Sequence, residues 1–263
     1  MKISAYIIAF NEANKIRNCI NSVLWADEII VADSHSTDGT TEIAQELGAQ
    51  VIHIPFTGYG ELRNNAISYC KGEWIFSLDS DERCTSKVRD EILSITNNSN
   101  FDIYKIPRRN FFMGKWIKHS GWYPNFRQPQ LFRNGSMKYD SKPVHEGFIC
   151  QSNNGIGVLK NSIWQFPFKD TEQIINKANK YSTLSVKKLQ EKGITGSVRK
   201  AFYHALWSFF KHYILKLGFL DGGPGLVIAV GNFEGTFYRY IKLTEAQSQW
   251  KEPTVKPINK TSQ

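Results

Sequence analysis

Several marks of familiar protein classes are missing from this chain. Its four cysteines, Cys19, Cys70, Cys84 and Cys150, are scattered and form no C-x-x-C pair. Neither a disulfide framework nor a zinc site is predicted, and reduced thiols in a cytoplasmic setting are expected. No run of about 18 apolar residues occurs, so no membrane-spanning helix is predicted. The opening run "MKISAYIIAF" passes into Asn-Glu rather than a small-residue cleavage site, which predicts a first strand and not a signal peptide. The first strand–helix turn, "FNEAN", has no glycine. In "GYGELR" Arg63 stands where the third glycine of a dinucleotide fingerprint belongs, and no P-loop is present. NAD, FAD and P-loop chemistry are therefore not expected. Zinc-finger spacing, RNP-type aromatic motifs and internal repeats are also absent, so nucleic acid is not an expected partner.

What is present is a globular composition. The chain has 263 residues, 41% of them hydrophobic and 22% charged, enough to bury a core. Lys and Arg number 33 against 24 Asp and Glu, a formal charge of +9. That excess favours a polyanionic partner such as anionic lipid or a phosphorylated substrate, although solubility alone also accounts for it.

The first hundred residues alternate two periodicities. "ISAYIIAF", "DEIIVADS", "QVIHIPF" and "EWIFSLDSDE" are apolar runs of the kind buried on both faces of a sheet. Between them, "EANKIRNCINSVLWA", "STDGTTEIAQELGA" and "GYGELRNNAISYCKG" carry helical spacing or close at a glycine. "TSKVRDEILSIT" follows as a helix capped by Thr85 or Ser86. Strand–helix alternation predicts an α/β fold, a mostly parallel Rossmann-like sheet flanked by helices. From about Phe101 to Trp164 the chain is aromatic and basic, with "RQPQLFR" and "GFICQ" as expected strands. Beyond Asp170 two amphipathic helices are predicted, and after Leu243 a polar, Pro-containing stretch reads as a disordered tail.

In parallel sheets ligands sit off the carboxyl ends of the strands. Four polar clusters fall there: Asn11-Glu12, Asp33-Ser34, Gly58–Asn64 and Asp79–Asp81. Asp79 and Asp81 close the fourth run, and at a strand-to-loop corner both carboxylates can reach one divalent cation. The competing account is a solvated turn with Asp79 capping the next helix. Glu82 reads as the acidic start of that helix.

"IIAFNE", "VADSHSTDGT", "GELRNNA" and "LDSDE", in this order, resemble the inverting family 2 glycosyltransferases of the GT-A fold. "GWYPNFRQPQLFR", "VHEG" and "FLDGGPGL" resemble the bacterial subgroup that glucosylates the lipopolysaccharide inner core. The resemblance implies a GT-A catalytic domain over residues 1–165, with a nucleotide-binding half at 1–100 and an acceptor half at 101–165. A helical extension at 166–243 and a tail at 244–263 follow. It implies that Phe10, Asn11, Glu12 and Asp33 hold the uridine of a UDP-sugar, that Arg63 lies near the donor, and that Asp79 contacts its ribose and sugar side. Asp81 is similar to the direct ligand of Mg²⁺ or Mn²⁺.

Inversion requires a base opposite the leaving diphosphate. Within "KPVHEGF", Glu146 is the expected base and His145 a metal or diphosphate contact, with the two assignments exchangeable. A salt bridge for Glu146 and a buried imidazole for His145 are the structural alternatives, and the Glu-Asp pair that many relatives use as base is missing. Arg127 and Arg133 are expected to clamp phosphate bidentately. Trp122 and Tyr123 either stack on a sugar ring or pack beneath a loop.

The helix Ser197–Phe219 divides into an apolar side, with Phe202, Ala205, Leu206, Phe209, Tyr213, Ile214 and Leu217, and a basic side, with Arg199, Lys200, His204, Lys211 and Lys216. It suits either an anionic membrane surface or a core helix covering the sheet. The expected activity is transfer of a hexose, glucose first, from a UDP-sugar to a lipid-linked saccharide of the lipopolysaccharide core, by a membrane-peripheral enzyme on the cytoplasmic face. A polyprenyl phosphate acceptor, a peptide acceptor and a non-catalytic nucleotide-sugar binder are the other readings.

Overall fold

The computed structural model describes residues 2–125, 128–140, 147–248 and 253–254. The chain divides into two compact units, Met1–Pro167 and Phe168–Gln263.

The first unit opens with β1 (Ile3–Ala9), α1 (Ala13–Asn21), β2 (Glu28–Asp33), α2 (Thr40–Glu46), β3 (Gln50–His53), α3 (Tyr59–Ser68) and β4 (Trp74–Asp79). Then come β5 (Glu82–Arg83), α4 (Ser86–Asn97), β6 (Ile103–Lys105), β7 (Arg108–Phe112), β8 (Lys115–Trp116) and β9 (Pro129–Arg133). It closes with β10 (Met137–Tyr139), β11 (Phe148–Cys150), β12 (Ile156–Val158) and β13 (Ile163–Gln165). Thr85 caps α4 by accepting from the Val88 amide at 3.3 Å.

The main sheet runs β12-β6-β9-β4-β1-β2-β3. β3, β2, β1 and β4 are parallel, and β9 is antiparallel to both β4 and β6. All seven residues of β1 are buried. Ile3, Ala5, Ile7 and Ala9 pack with α1, α2 and α4, whereas Tyr6 and Ile8 face α3. A two-residue side-chain period covered on both faces is why the strand reads as an unbroken apolar run. The chain has the mostly parallel α/β sheet of a GT-A fold.

Register decides where the site lies. Ala9 pairs with Asp33, Asp33 with His53, and Ile8 with Asp79, so four parallel strands end level with one another. Gly39 follows with φ 90°, a left-handed turn that carries the chain from this edge into α2.

A second sheet, β5-β13-β7-β8, adjoins the end of β4. Glu82, in β5, is fully buried and does not start the helix, contrary to the sequence reading. Its Oε2 accepts from the Asp79 amide at 3.0 Å and from Gln130 Nε2 at 2.8 Å. Its Oε1 lies 2.5 Å from Arg108 Nε, an ion pair by distance rather than a well-angled hydrogen bond. Burial pushes the Glu82 carboxyl up to about 7 against the pull of Arg108, with Asp79 and Asp81 adding to the rise.

The second unit holds α5 (Thr171–Glu191), α6 (Val198–Phe210), a π-helical turn at Lys211–Leu215, a short turn at Gly218–Asp221, and α7 (Gly223–Gln247). α7 runs past the Leu243 boundary expected from composition. A Cβ at Gly225 would meet the Gly218 carbonyl oxygen at 1.9 Å, so only glycine lets this turn close. Lys242 ties α7 to α5 through Asn179, Ser182 and Thr183.

The Glu82–Arg108 pair yields a double-mutant test. Glu82→Gln strands a buried guanidinium and should lower unfolding free energy by about 3 to 5 kcal/mol. Glu82→Met combined with Arg108→Met should cost clearly less than the sum of the single changes. Urea unfolding of the wild type, Glu82→Gln, the two single methionine variants and the double variant measures these changes, and strict additivity of the methionine substitutions would show that the pair is not coupled.

Candidate active site at the strand ends

The loops after β1 and β2 are laced together. The Asn11 amide donates to Ser36 Oγ at 2.8 Å, and Asn11 Oδ1 accepts from the Thr37 amide at 2.9 Å. The Glu12 amide donates to Thr40 Oγ1 at 2.9 Å and the Ala13 amide to Asp38 at 3.0 Å. Burial works to raise the Asp38 carboxyl, but the Thr40 hydroxyl and the Ala13 and Thr40 amides hold it below its usual value. Asn11 takes a positive φ of 53°, and the neighbouring Phe10 ring is exposed. Phe10, Asn11 and Glu12 thus form one rim of the site. The motif "STDGT" has a clear mechanical role: its hydroxyls and carboxylate hold that rim.

Asp33 is fully buried at the end of β2. It accepts from the Ser36 amide at 2.8 Å, from the Ser36 hydroxyl, and faces His53 Nδ1 at 3.4 Å. His35 stacks on His53 with centroids 5.8 Å apart. Sequence reasoning passed over His53, although its place at the end of the third strand run was the available signal.

Arg63 reaches across from α3. Its Nη2 lies 2.6 Å from Asp79 Oδ1 and its Nη1 donates to Ser77 at 3.2 Å, with the guanidinium 5.5 Å from the Tyr139 ring centroid. Arg63 is buried and Asp79 about a third exposed, so the aspartate is steered from beneath. Asp79 does not cap a helix. Its own amide is taken by Glu82.

Asp81 is held differently. Its carbonyl accepts from the Phe166 amide at 2.9 Å, and Gln165 Nε2 stands 3.3 and 3.5 Å from its two carboxylate oxygens. No local signal marks Gln165, because β13 reaches Asp81 only through pairing with β5. The donor set fits a hard cation shared with a substrate. One or two carboxylates completed by ligand oxygens and water is the usual magnesium arrangement. Among the described residues no cluster of three His, Cys, Asp or Glu forms an all-protein cage.

Arg133 requires correction. It pairs with Trp74 at the opposite end of β4 from Asp79. Its Nε lies 3.0 Å from Asp102, its Nη1 contacts Glu73, and its guanidinium covers the Trp74 ring at 4.8 Å. The antiparallel course of β9 carries it to the amino ends of the parallel strands, so it is not a phosphate clamp at this site. Arg127, His145 and Glu146 lie outside the described residues. Trp122 packs 6.2 Å from Phe112, and Tyr123 meets Trp116 edge-on at 5.5 Å.

Residues 4–156 match the family "Glycosyl transferase family 2". An "Uncharacterized glycosyltransferase" of Rickettsia bellii is 32% identical over 96% of this chain and 90% of its own length. The "Lipopolysaccharide core biosynthesis glycosyltransferase LpsC" of Rhizobium meliloti is 31% identical, covering 84% of this chain and 82% of its own. The crystal structure of glucosyl-3-phosphoglycerate synthase from Mycobacterium tuberculosis, with Mn²⁺, UDP and glucosyl-3-phosphoglycerate, shares 27% identity over 41% of this chain and 44% of that one, with a TM-score of 0.37. With the family match spanning more than half of its residues, and relatives above 30% identity aligned along most of its length, the chain belongs to glycosyl transferase family 2.

Proposed function

We propose that this glycosyltransferase moves a hexose, glucose first, from a UDP-sugar to a sugar of the lipopolysaccharide inner core, with inversion, at the cytoplasmic face of the membrane. The observation that carries the reading is the Arg63–Asp79 pair beside Asp81, level with Asp33 at the carboxyl edge of the sheet. The likeness to LpsC along most of both chains supports the acceptor class.

Each residue has a task in this reading. Asp33 accepts the uracil N–H, which takes the place of the Ser36 hydroxyl or the His53 ring now against it. Arg63 fixes Asp79 in the rotamer that receives the ribose and sugar hydroxyls. Asp81, with Gln165 orienting its carboxylate, is the ligand for Mg²⁺ or Mn²⁺, and His145 is a second contact. When bound, the cation neutralises charge that develops on the departing diphosphate. Arg127 would supply positive charge for the same phosphates. Glu146 takes the proton from the acceptor hydroxyl as its oxygen bonds to the anomeric carbon. The bond from that carbon to the diphosphate oxygen breaks, and its electron pair leaves with UDP.

Four outcomes are expected. Asp81→Ala should abolish metal-dependent hydrolysis of UDP-glucose while leaving the melting temperature nearly unchanged; persistent metal-dependent turnover would remove Asp81 from the metal site. UDP-sugars should raise the melting temperature in the presence of Mg²⁺ or Mn²⁺, and neither shift nor hydrolysis with any UDP-sugar would overturn the donor class. Glu146→Gln should lower transfer by about 10² to 10⁴ with donor binding intact. Transfer at the native rate would assign the base elsewhere. Mass analysis of the lipopolysaccharide core from a strain lacking the protein tests the acceptor: an unaltered core rules it out.

A further inference from the structure

Helix α6 is turned inside out for a helix in water. The residues it buries are Ala201 and Ala205, with Ala201 packed in a cluster with Tyr240 and Leu243 of α7. Most of its large side chains face solvent, with Phe209 half-buried. Phe202, Tyr203, Leu206, Trp207 and Phe210, continued by Ile214, recur every three or four residues along one side. Tyr203 is 69% exposed and Trp207 57%. Their neighbours only add to the apolar layer, since Trp207 stacks on Phe210 at 5.8 Å and Phe202 meets Tyr203 edge-on at 6.1 Å. An apolar patch this continuous marks an interaction surface.

Charge selects the occupant. From Lys192 to Leu217 the chain carries Lys192, Arg199, Lys200, Lys211 and Lys216 and no acidic residue. The next acid, Asp221, is buried. A second copy docking symmetrically through this face would set that positive band against itself. The headgroup region of an anionic bilayer instead offers negative charge to the Lys and Arg heads. It also gives the Trp and Tyr rings a boundary where one end is apolar and the other wet. No described helix is long and apolar enough to cross a membrane, and lying in the interface requires none.

We infer that the solvent-facing side of α6 is a docking surface for an anionic phospholipid bilayer. The inference deepens the lipid-linked acceptor reading by naming the surface that would bring the enzyme to it. Its test uses no acceptor and no sugar.

The full chain is sedimented with vesicles of phosphatidylethanolamine mixed with phosphatidylglycerol, and with vesicles of phosphatidylcholine alone. Binding is expected on the first and weak on the second, with release as salt rises from about 0.05 to about 0.5 M. The exposed triple variant Phe202→Ser, Trp207→Ser, Phe210→Ser should lose at least about tenfold in vesicle affinity. It should keep its unfolding midpoint and its hydrolysis of UDP-glucose in solution. Arg199→Gln with Lys211→Gln should lose about fivefold per charge and flatten the salt dependence. Absence of binding to the anionic vesicles overturns the inference, and so does undiminished binding by the triple variant. A dimer in sedimentation velocity that the triple variant converts to monomer would also overturn it, by assigning the face to a second copy. Intact vesicle binding without hydrolysis of any UDP-sugar would instead overturn the donor reading and leave this one standing.

Discussion

One buried carboxylate holds the carboxyl-end edge of the first unit's main sheet together. Glu82 stands where two sheets meet, receiving the Asp79 amide from β4, the Gln130 side chain from β9 and the Arg108 guanidinium from β7. The Asp79 amide leaves the ladder at a strand end and would otherwise be an unpaired buried donor, costly in a site with little water. The carboxylate that satisfies it also brings negative charge beneath Asp79 and Asp81; burial is the main reason its proton affinity rises, and those two charges add to it. Arg108 makes that placement tolerable. The pair serves geometry more than stability, since buried ion pairs rarely contribute net free energy although their rupture is expensive.

Charge balance at this edge follows from the same arrangement. Three carboxylates, Asp79, Asp81 and Glu82, are met by three guanidiniums, Arg63, Arg83 and Arg108. A cluster already near neutral has little spare positive charge for an arriving diphosphate. In the proposed reading, that gives a physical reason for the donor to be expected with a divalent cation of its own, beside the Asp81 carboxylate that the Gln165 amide of β13 meets at 3.3 and 3.5 Å.

The parts of this architecture that were legible in the sequence are those governed by local period. Unbroken apolar runs gave β1, β2 and β4, and the helical spacing of Ile16, Cys19 and Ile20 gave α1, because each is buried by its own repeat. The level ends of the strands could then be inferred from parallel connectivity alone. The misreadings share a different cause. Glu82 and Arg133 are placed by partners far away in sequence: Glu82 by β7 and β9, and Arg133 by the antiparallel return of β9 to the wrong end of the sheet. Gln165 and His53 were passed over for a related reason. Neither residue type is informative alone, and only pairing with β5 and β2 brings them to Asp81 and Asp33. A motif read along the chain therefore finds the donor side of such a site more readily than the residues that hold it in place.

The second unit obeys the opposite logic. In the first, large apolar side chains are inside and the polar residues at strand ends do the work. In α6 the alanines are inside, and the aromatic residues are left out. The sequence left two accounts of this helix open, because amphipathic spacing shows that two faces differ without showing which one is covered. Packing within the unit shows which face is covered: Ala201 of α6 sits against Tyr240 and Leu243 of α7, and a small residue there lets the backbones approach and leaves no room between them for Phe or Trp. An apolar face that its own unit does not cover, rimmed by cations, is stable in water only at a cost in exposed apolar area. That cost is removed when an anionic, amphipathic surface covers the face, and an enzyme whose acceptor is anchored in such a surface gains local concentration from the same contact.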